Sequence, residues 1–512
     1  MLRQQRLRDS FVMAHHIKKQ IMKDTAKLTS AQYFSQGLGF VTSIMIRRYL
    51  GPYFTGIWSL LRIILDYSAY NSLGVDRAAM YKIPFFIGQN KQEEVREIQN
   101  CSFSFMFLAS LLTSVLLAII TTFIKHRYPI EVVVGLYALS IIAIVEKISA
   151  FLILLPKAEG DFSVLSKAII FDAILNITLV FLLVRPFFIY GLYTMMFLSA
   201  VINAVFVYSL IKCKVKLIID TKIIKGLIKY GFPILGISLL TVILRSVDRI
   251  IIAKMLGVTF VGYFSLGIMT RNYAEIFASF STVLRPRMMQ AYGKEEKIEH
   301  MEKFVIGSCE IIAFTLPIIL SIIYFLGPVL VRLLLPKFIP GIIVMQILLL
   351  DSFFHSTYIQ SQQFIIAIGK QKKIMAIITG VIILNGILDY FLIKMGLGIA
   401  GVAASTAFSS FLSFILVQIV SMRYFMNNKD IIFFIIRVLV PVFYISLVSI
   451  FIGNIILVAN QVIDLLLKIV IVLTSSLPLL FYLNRRINFI PVLVSLIKGK
   501  FGIKDDNYTD LI

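Results

Sequence analysis

The chain has 512 residues, of which 59% are hydrophobic and 15% charged, with a mean hydropathy of +0.91. A soluble domain carries about 45–50% apolar and about 25% charged residues, so this composition excludes a water-soluble enzyme, a disordered chain and a disulfide scaffold. The net charge of +23 sits in short blocks between apolar runs, a placement that orients helices in a membrane rather than one that binds nucleic acid.

Residues 1–27 are basic and lack the apolar core of a cleavable signal peptide, which leaves the first apolar segment to act as the insertion signal. A membrane-crossing helix needs about 20 apolar residues. Runs of that order, bounded by charge or Gly/Pro, fall at 28–46, 52–74, 101–124, 132–155, 168–184, 191–211 and 231–253. Seven more follow at 262–284, 304–326, 341–367, 374–395, 399–422, 431–454 and 462–484. The predicted fold is therefore an all-α polytopic membrane protein of about 14 transmembrane helices. Its expected parts are a basic N-terminus (1–27), six spans over 28–211, a basic linker (212–230), six spans over 231–422, two further spans over 423–484 and a tail (485–512). The N-terminus, the even-numbered connections and the tail hold 34 Lys and Arg, against 9 in the odd-numbered connections, counting Lys394 at the end of the eleventh span with the connection that follows it. Positive charge stays inside, so both termini are predicted to be cytoplasmic. Cys101, Cys213 and Cys309 lack metal-ligand spacing and read as packing residues at or near the cytoplasmic side.

Charges inside spans cost about 2.5–3.5 kcal/mol each on insertion scales, so they are expected to face protein or water. The first span carries Thr29, Gln32, Gln36 and Ser43. The second carries Arg62 with Asp66 four residues on. The seventh has Ser238, Thr241, Arg245 and Asp248 as one polar stripe, with Arg249 beside it. The eighth has Arg271 with Glu275 four residues on, and the tenth has Asp351, His355, Tyr358 and Gln362 on one helical face. Two readings of the arginines stand side by side. Each neutralises its own acid as structural glue, or the set lines a hydrated cavity where the guanidinium fork takes two phosphate oxygens. Asp351–His355 reads equally as a structural i,i+4 pair or as a proton-coupling site. Asp172 and Glu310 lie near the cytoplasmic ends of their helices and Glu131 near an outer end, Glu146–Lys147 and Asp389 are deeper but unpaired by pattern, and Arg437 and the Asp464–Lys468 pair in the terminal helices read as snorkelling.

An internal duplication runs beneath these patterns. Leu50-Gly-Pro-Tyr-Phe-Thr-Gly-Ile-Trp-Ser-Leu60 recurs as Leu256-Gly-Val-Thr-Phe-Val-Gly-Tyr-Phe-Ser-Leu266, identical at six of eleven positions with an offset of 206. A second match, Ala158-Glu-Gly160 with Asn176 against Ala367-Ile-Gly369 with Asn385, has an offset of 209. Six spans separate the copies, an even number, so the halves insert as parallel repeats.

The chain resembles the Wzx-type polysaccharide flippases of the multidrug/oligosaccharidyl-lipid/polysaccharide (MOP) exporter superfamily. The features that carry the resemblance are Leu50-Gly51 with Gly56, Tyr230-Gly-Phe-Pro233 leading to Ser246-Val-Asp-Arg249, Leu256-Gly257 with Gly262-Tyr263, and Gly398-Ile-Ala-Gly401 through Thr406. The resemblance implies two six-helix lobes in a V, with two extra C-terminal helices, in a bacterial plasma (inner) membrane. It implies alternating access that carries an undecaprenyl-diphosphate-linked O-antigen or capsule repeat unit to the outer leaflet through a cationic cavity. On that reading Arg62, Arg271, Arg245 and Arg249 are the candidate substrate contacts, and Gln32, Gln36, Ser238 and Thr241 line the cavity. Asp66, Glu275, Asp248, Asp351 and His355 are candidate charge partners or sites of H+ or Na+ coupling. Membrane lipids, a polysaccharide polymerase and a chain-length regulator are the implied partners. The chain holds no Gly-x-x-x-x-Gly-Lys loop, His-Glu-x-x-His motif or Cys/His cluster, so neither catalysis, a metal nor a cofactor is expected. The competing readings are a cation-coupled multidrug exporter, a lipid II flippase of the same superfamily, and a non-transporting scaffold of a glycan-synthesis complex.

Overall fold

The computed structural model describes residues 2–211, 214–278, 299–455, 458 and 460–487. Among the described residues the regular structure is helical throughout, with no strand. That is the form an apolar chain takes when lipid offers no partners for its backbone polar groups. The first half comprises α1 (Leu2–Ser68), α2 (Val75–Gly88), α3 (Gln92–Ile124), α4 (Ile130–Glu159), α5 (Phe162–Leu179) and α6 (Arg185–Leu210). There follow α7 (Thr221–Met255), α8 (Val258–Ala278), α9 (Glu299–Leu334), α10 (Ile342–Ala367), α11 (Gln371–Lys394), α12 (Gly398–Met422), α13 (Asn428–Gly453) and α14 (Gln461–Ile487).

Each of the fourteen predicted spans has its helix. The first two share α1, which breaks at Gly51 (φ 69°, ψ 179°) just before Pro52. Residues 279–284 of the eighth span, Cys213 and the tail beyond 487 lie outside the described residues. By length and apolarity, nine of the described helices qualify as membrane spans, and one of these, Phe162–Leu210, is 49 residues long. At about 1.5 Å per residue that is more than twice the roughly 30 Å hydrocarbon core, so it holds two crossings. They are separated by a π-turn at Val180–Val184 and a break at Phe188. The helices that fall short in apolarity are those with polar stripes, α1 and α8, while α7 is bent by 57° between Thr221–Pro233 and Ser238–Met255. Pro233 removes a backbone donor at that bend.

The repeat is visible in the backbone. Gly51 and Gly257, equivalent at the offset read from sequence, both adopt positive φ (69° and 103°), and so do Gly160 and Gly369 (76° and 73°). L-residues rarely tolerate that region, so glycine there ends one helix and redirects the chain into the next. Asn176 accepts a hydrogen bond from Ser199 at 3.1 Å, and its repeat mate Asn385 accepts one from Ser405 at 3.2 Å. Each half thus ties equivalent helices with the same polar link.

The chain forms two compact units, Met1–Val242 and Ile243–Ile512, and the division falls inside α7. The first turns of α7 belong to the first unit, where Leu227 packs with Val75, Ala78, Ala79 and Ile83 of α2 and with Phe151 and Leu155 of α4. α2 was not expected from the sequence. Its buried residues recur at helical spacing, but fourteen residues broken by Asp76, Arg77 and Lys82 are too short and too charged to read as a span. Gly74, at φ 86°, brings its carbonyl against the Gly231 backbone, where a β-carbon on Gly231 would collide with it. Gly231→Ala is therefore expected to lower the thermal unfolding midpoint of purified protein, at a cost of about 1–3 kcal/mol from overpacking. An unchanged midpoint would contradict this contact.

Candidate functional site: a charge network in the second unit

Four helices of the second unit bring the intramembrane charges together. On α8, Arg271 Nε lies 3.3 Å from Glu275 Oε1, the i,i+4 pair that the sequence predicts. From α10, Asp351 Oδ2 meets Arg271 Nη1 at 2.8 Å, and His355 Nδ1 lies 3.1 Å from Glu275 Oε1. From α7, Arg245 Nη2 reaches Glu275 Oε2 at 3.5 Å. The Ser410 hydroxyl on α12 donates to Asp351 Oδ1. The Tyr358 ring lies edge-on to His355, with centroids 5.3 Å apart.

The two arginines are left with different capacities. The Arg271 side chain is 9% exposed and engaged by two carboxylates, so it serves the network and has little left for a ligand. Arg245 is 37% exposed and held by one long contact. Its guanidinium carries five N–H donors, most of them uncommitted. Arg271→Ala would strand Asp351 in the core, an expected loss of about 3–5 kcal/mol because a buried charge loses its partner. Adding Asp351→Asn should recover a large part of it. A double-mutant cycle on thermal unfolding measures this coupling, and additive losses would contradict it.

One turn beyond Arg245, Asp248 enters a second cluster. Asn385 Nδ2 donates to Asp248 Oδ1 at 2.6 Å, and the Thr406 hydroxyl donates to Oδ2 at 2.9 Å. The same Asn385 amide nitrogen reaches Asp389 Oδ2 at 3.3 Å. Both carboxylates are buried, and among the described residues neither is ion-paired to an arginine or lysine. Asp389 Oδ1 has no hydrogen-bond partner. Two such groups cost several kcal/mol each when both are ionised, so the pair calls for a shared proton or a small cation. No group of three or more His, Cys, Asp and Glu able to hold a metal occurs among the described residues.

The other sequence candidates fall as follows. Ser238 and Thr241 are half-buried on α7 before Arg245, and Arg249 is buried after Asp248. In the first unit Arg62 Nε pairs with Asp66 Oδ1 at 3.2 Å, and its side chain is 46% exposed. Gln32 is exposed and Gln36 half-buried on α1. Asp351 and His355 are not partners of one another: Asp351 goes to Arg271 and Ser410, His355 to Glu275. Their i,i+4 spacing puts them on one face, and the stronger opposite charges of α8 divide them. Arg437 does not merely snorkel, because its Nη1 lies 3.1 Å from Glu310 Oε1. Lys468 does pair with Asp464, at 2.9 Å. Cys101 and Cys309 are free and buried, in keeping with packing roles.

Sequence reasoning missed Asn385, Asp389, Thr406 and Ser410 as site residues. A usable signal existed for the first two, since Asn385 and Asp389 stand four apart on one face of an apolar helix.

A family model described as polysaccharide biosynthesis protein matches residues 83–340. Among solved structures, a lipid II flippase, MurJ, in an inward closed conformation aligns with a TM-score of 0.66 at 16% identity, over 90% of this chain and 98% of that one. An inward-facing multidrug resistance MATE family transporter of the MOP superfamily gives 0.62 at 18% identity, over 76% of this chain and 94% of its own. A MOP superfamily transporter from Pyrococcus furiosus, described as having a binding pocket of reverse polarity, gives 0.55 at 18% identity over 79% and 96%. At these identities the likeness establishes the fold alone, one that this chain shares with these transporters. No curated protein sequence matches.

Proposed function

The chain belongs to the polysaccharide biosynthesis protein family, and from that premise we propose that this multi-pass membrane protein flips a lipid-linked anionic oligosaccharide by alternating access. The cargo is a polyprenyl-diphosphate-linked repeat unit of O-antigen or capsule type, carried from the cytoplasmic to the outer leaflet of a bacterial inner membrane, with both termini of the protein cytoplasmic. The observation that carries the reading is Arg245: an arginine whose side chain is 37% exposed and whose guanidinium is held by one long contact, at the edge of a network whose other charges are satisfied. A guanidinium fork offers paired donors to paired phosphate oxygens. Arg62, still more exposed and ion-paired to its own Asp66, offers the same kind of donor within the first unit. Arg271 holds Glu275 and Asp351 in place, and its part in binding is indirect.

The carboxylate pair Asp248–Asp389 supplies the coupling. A proton or Na+ on the pair removes a buried charge, so its occupancy biases the packing of α7 against α11 and α12. Any two states that differ in affinity for that ion are thereby linked to the gradient.

A multidrug exporter for cationic drugs would need accessible acids. Here Glu275 is bonded by Arg245, Arg271 and His355, and Asp351 by Arg271 and Ser410, which argues against that alternative. Deleting the gene in its host should remove surface polysaccharide and accumulate the lipid-linked repeat unit on the cytoplasmic side. Intact surface glycan with altered drug sensitivity would overturn the proposal. An essential gene, whose depletion blocks cell-wall synthesis, would redirect it to lipid II.

A further inference from the structure

Away from this network, Glu310 of α9 is almost fully buried, its side chain 3% exposed, yet it is bound by two arginines from two other helices. Arg437 Nη1 of α13 meets Oε1 and Arg486 Nε of α14 meets Oε2, both at 3.1 Å. The arrangement staples the two terminal helices to α9. It also leaves one positive charge unbalanced, because two guanidinium groups face one carboxylate. Among the described residues no second acid lies within ion-pair distance of either arginine.

The surplus is not sealed in the core. The arginine side chains are 30% and 40% exposed, and each uses one donor on Glu310 out of five. Because both are bound to a single carboxylate, the two guanidinium groups lie beside one another near the last turn of α14. One turn deeper, Tyr482 stacks on Phe314 with centroids 5.5 Å apart, four residues from Arg486 and from Glu310 respectively. Phe481 and Tyr482 are exposed on the outer face of α14. Arginine at a helix end above exposed aromatic rings is the pattern of a headgroup-level anchor.

We propose that Arg437 and Arg486, preset by Glu310, bind the phosphate of an anionic phospholipid, whose acyl chain lies along Phe481 and Tyr482. The phosphate oxygens accept the donors that Glu310 leaves over and balance the remaining charge. The buried glutamate keeps the two guanidinium groups from separating, so the site is organised before a lipid arrives.

The test is a titration of the purified full-length protein with phosphatidylglycerol and, separately, phosphatidylcholine, counting retained lipid by native mass spectrometry. Phosphatidylglycerol should bind more tightly than phosphatidylcholine. The Arg437→Gln/Arg486→Gln double variant should lose about tenfold or more of that affinity, since charge-assisted hydrogen bonds are removed. Glu310→Gln, which keeps both arginines but loosens their placement, should bind phosphatidylglycerol more weakly than wild type and more tightly than the double variant. Equal retention by wild type and the double variant would overturn the proposal. So would displacement of the lipid by inorganic phosphate, which would mark a site for soluble anions. If the double variant does not fold, Arg486→Gln alone changes the more exposed arginine, and undiminished phosphatidylglycerol binding by that variant equally overturns it.

Discussion

Asp389→Asn is expected to abolish the dependence of transport on a proton or sodium gradient while leaving the protein folded. Asp248 already accepts a hydrogen bond at each oxygen, from Asn385 and from Thr406. Asp389 has an oxygen with no hydrogen-bond partner, and in the proposed coupling that oxygen is where a proton or small cation adds. Asparagine keeps the shape and removes the charge that makes binding worthwhile. Coupling free energies of about 1–3 kcal/mol correspond to about 5–150-fold effects, and a loss of that size is expected in gradient-driven transport. The sign on stability is opposite. With no ion present, the variant no longer buries a second uncompensated carboxylate, so its unfolding midpoint should rise. Gradient dependence in Asp389→Asn equal to that of wild type would remove the coupling assignment.

Arg245→Ala carries the other large effect. A diphosphate held by two charge-assisted hydrogen bonds, each worth about 1.5–3 kcal/mol, loses about 100-fold or more in apparent affinity when both go, at a factor of ten per about 1.4 kcal/mol. Glu275 keeps Arg271 and His355 in this variant, so expression and folding should survive, unlike in Arg271→Ala. Arg245→Lys retains the charge without the fork and should fall between the two. Surface glycan in a complemented deletion strain, scored against membrane-inserted protein, reads the effect. Wild-type glycan levels in Arg245→Ala would remove the binding assignment.

These two residues show what the chain discloses before it folds. Helices were legible because bilayer thickness sets the length of an apolar run, and the Gly51 and Gly257 breaks were legible as a repeated motif. Arg62–Asp66 and Arg271–Glu275 were legible because an i,i+4 pair closes within one helix. The bond from Asn385 to Asp248 joins residues 137 apart, and that from Thr406 to Asp248 residues 158 apart. Such contacts depend on which helix packs against which, and periodicity along one helix carries no record of its neighbours. Asp389 therefore looked solitary, and Glu310 looked like a helix-end acid until α13 and α14 each delivered an arginine to it. The division of Asp351 from His355 is the same lesson: sharing a face permits a contact, and the charge on the facing helix decides it.

Reconstitution tests the central claim most directly. The protein is placed in liposomes with a labelled polyprenyl-diphosphate oligosaccharide confined to one leaflet, and a glycan-modifying enzyme outside the vesicle reports arrival in the other. The account predicts protein-dependent transfer that responds to an imposed proton or sodium gradient and is lost in Arg245→Ala. Transfer no faster than in protein-free vesicles, from protein that is folded and inserted, would contradict it.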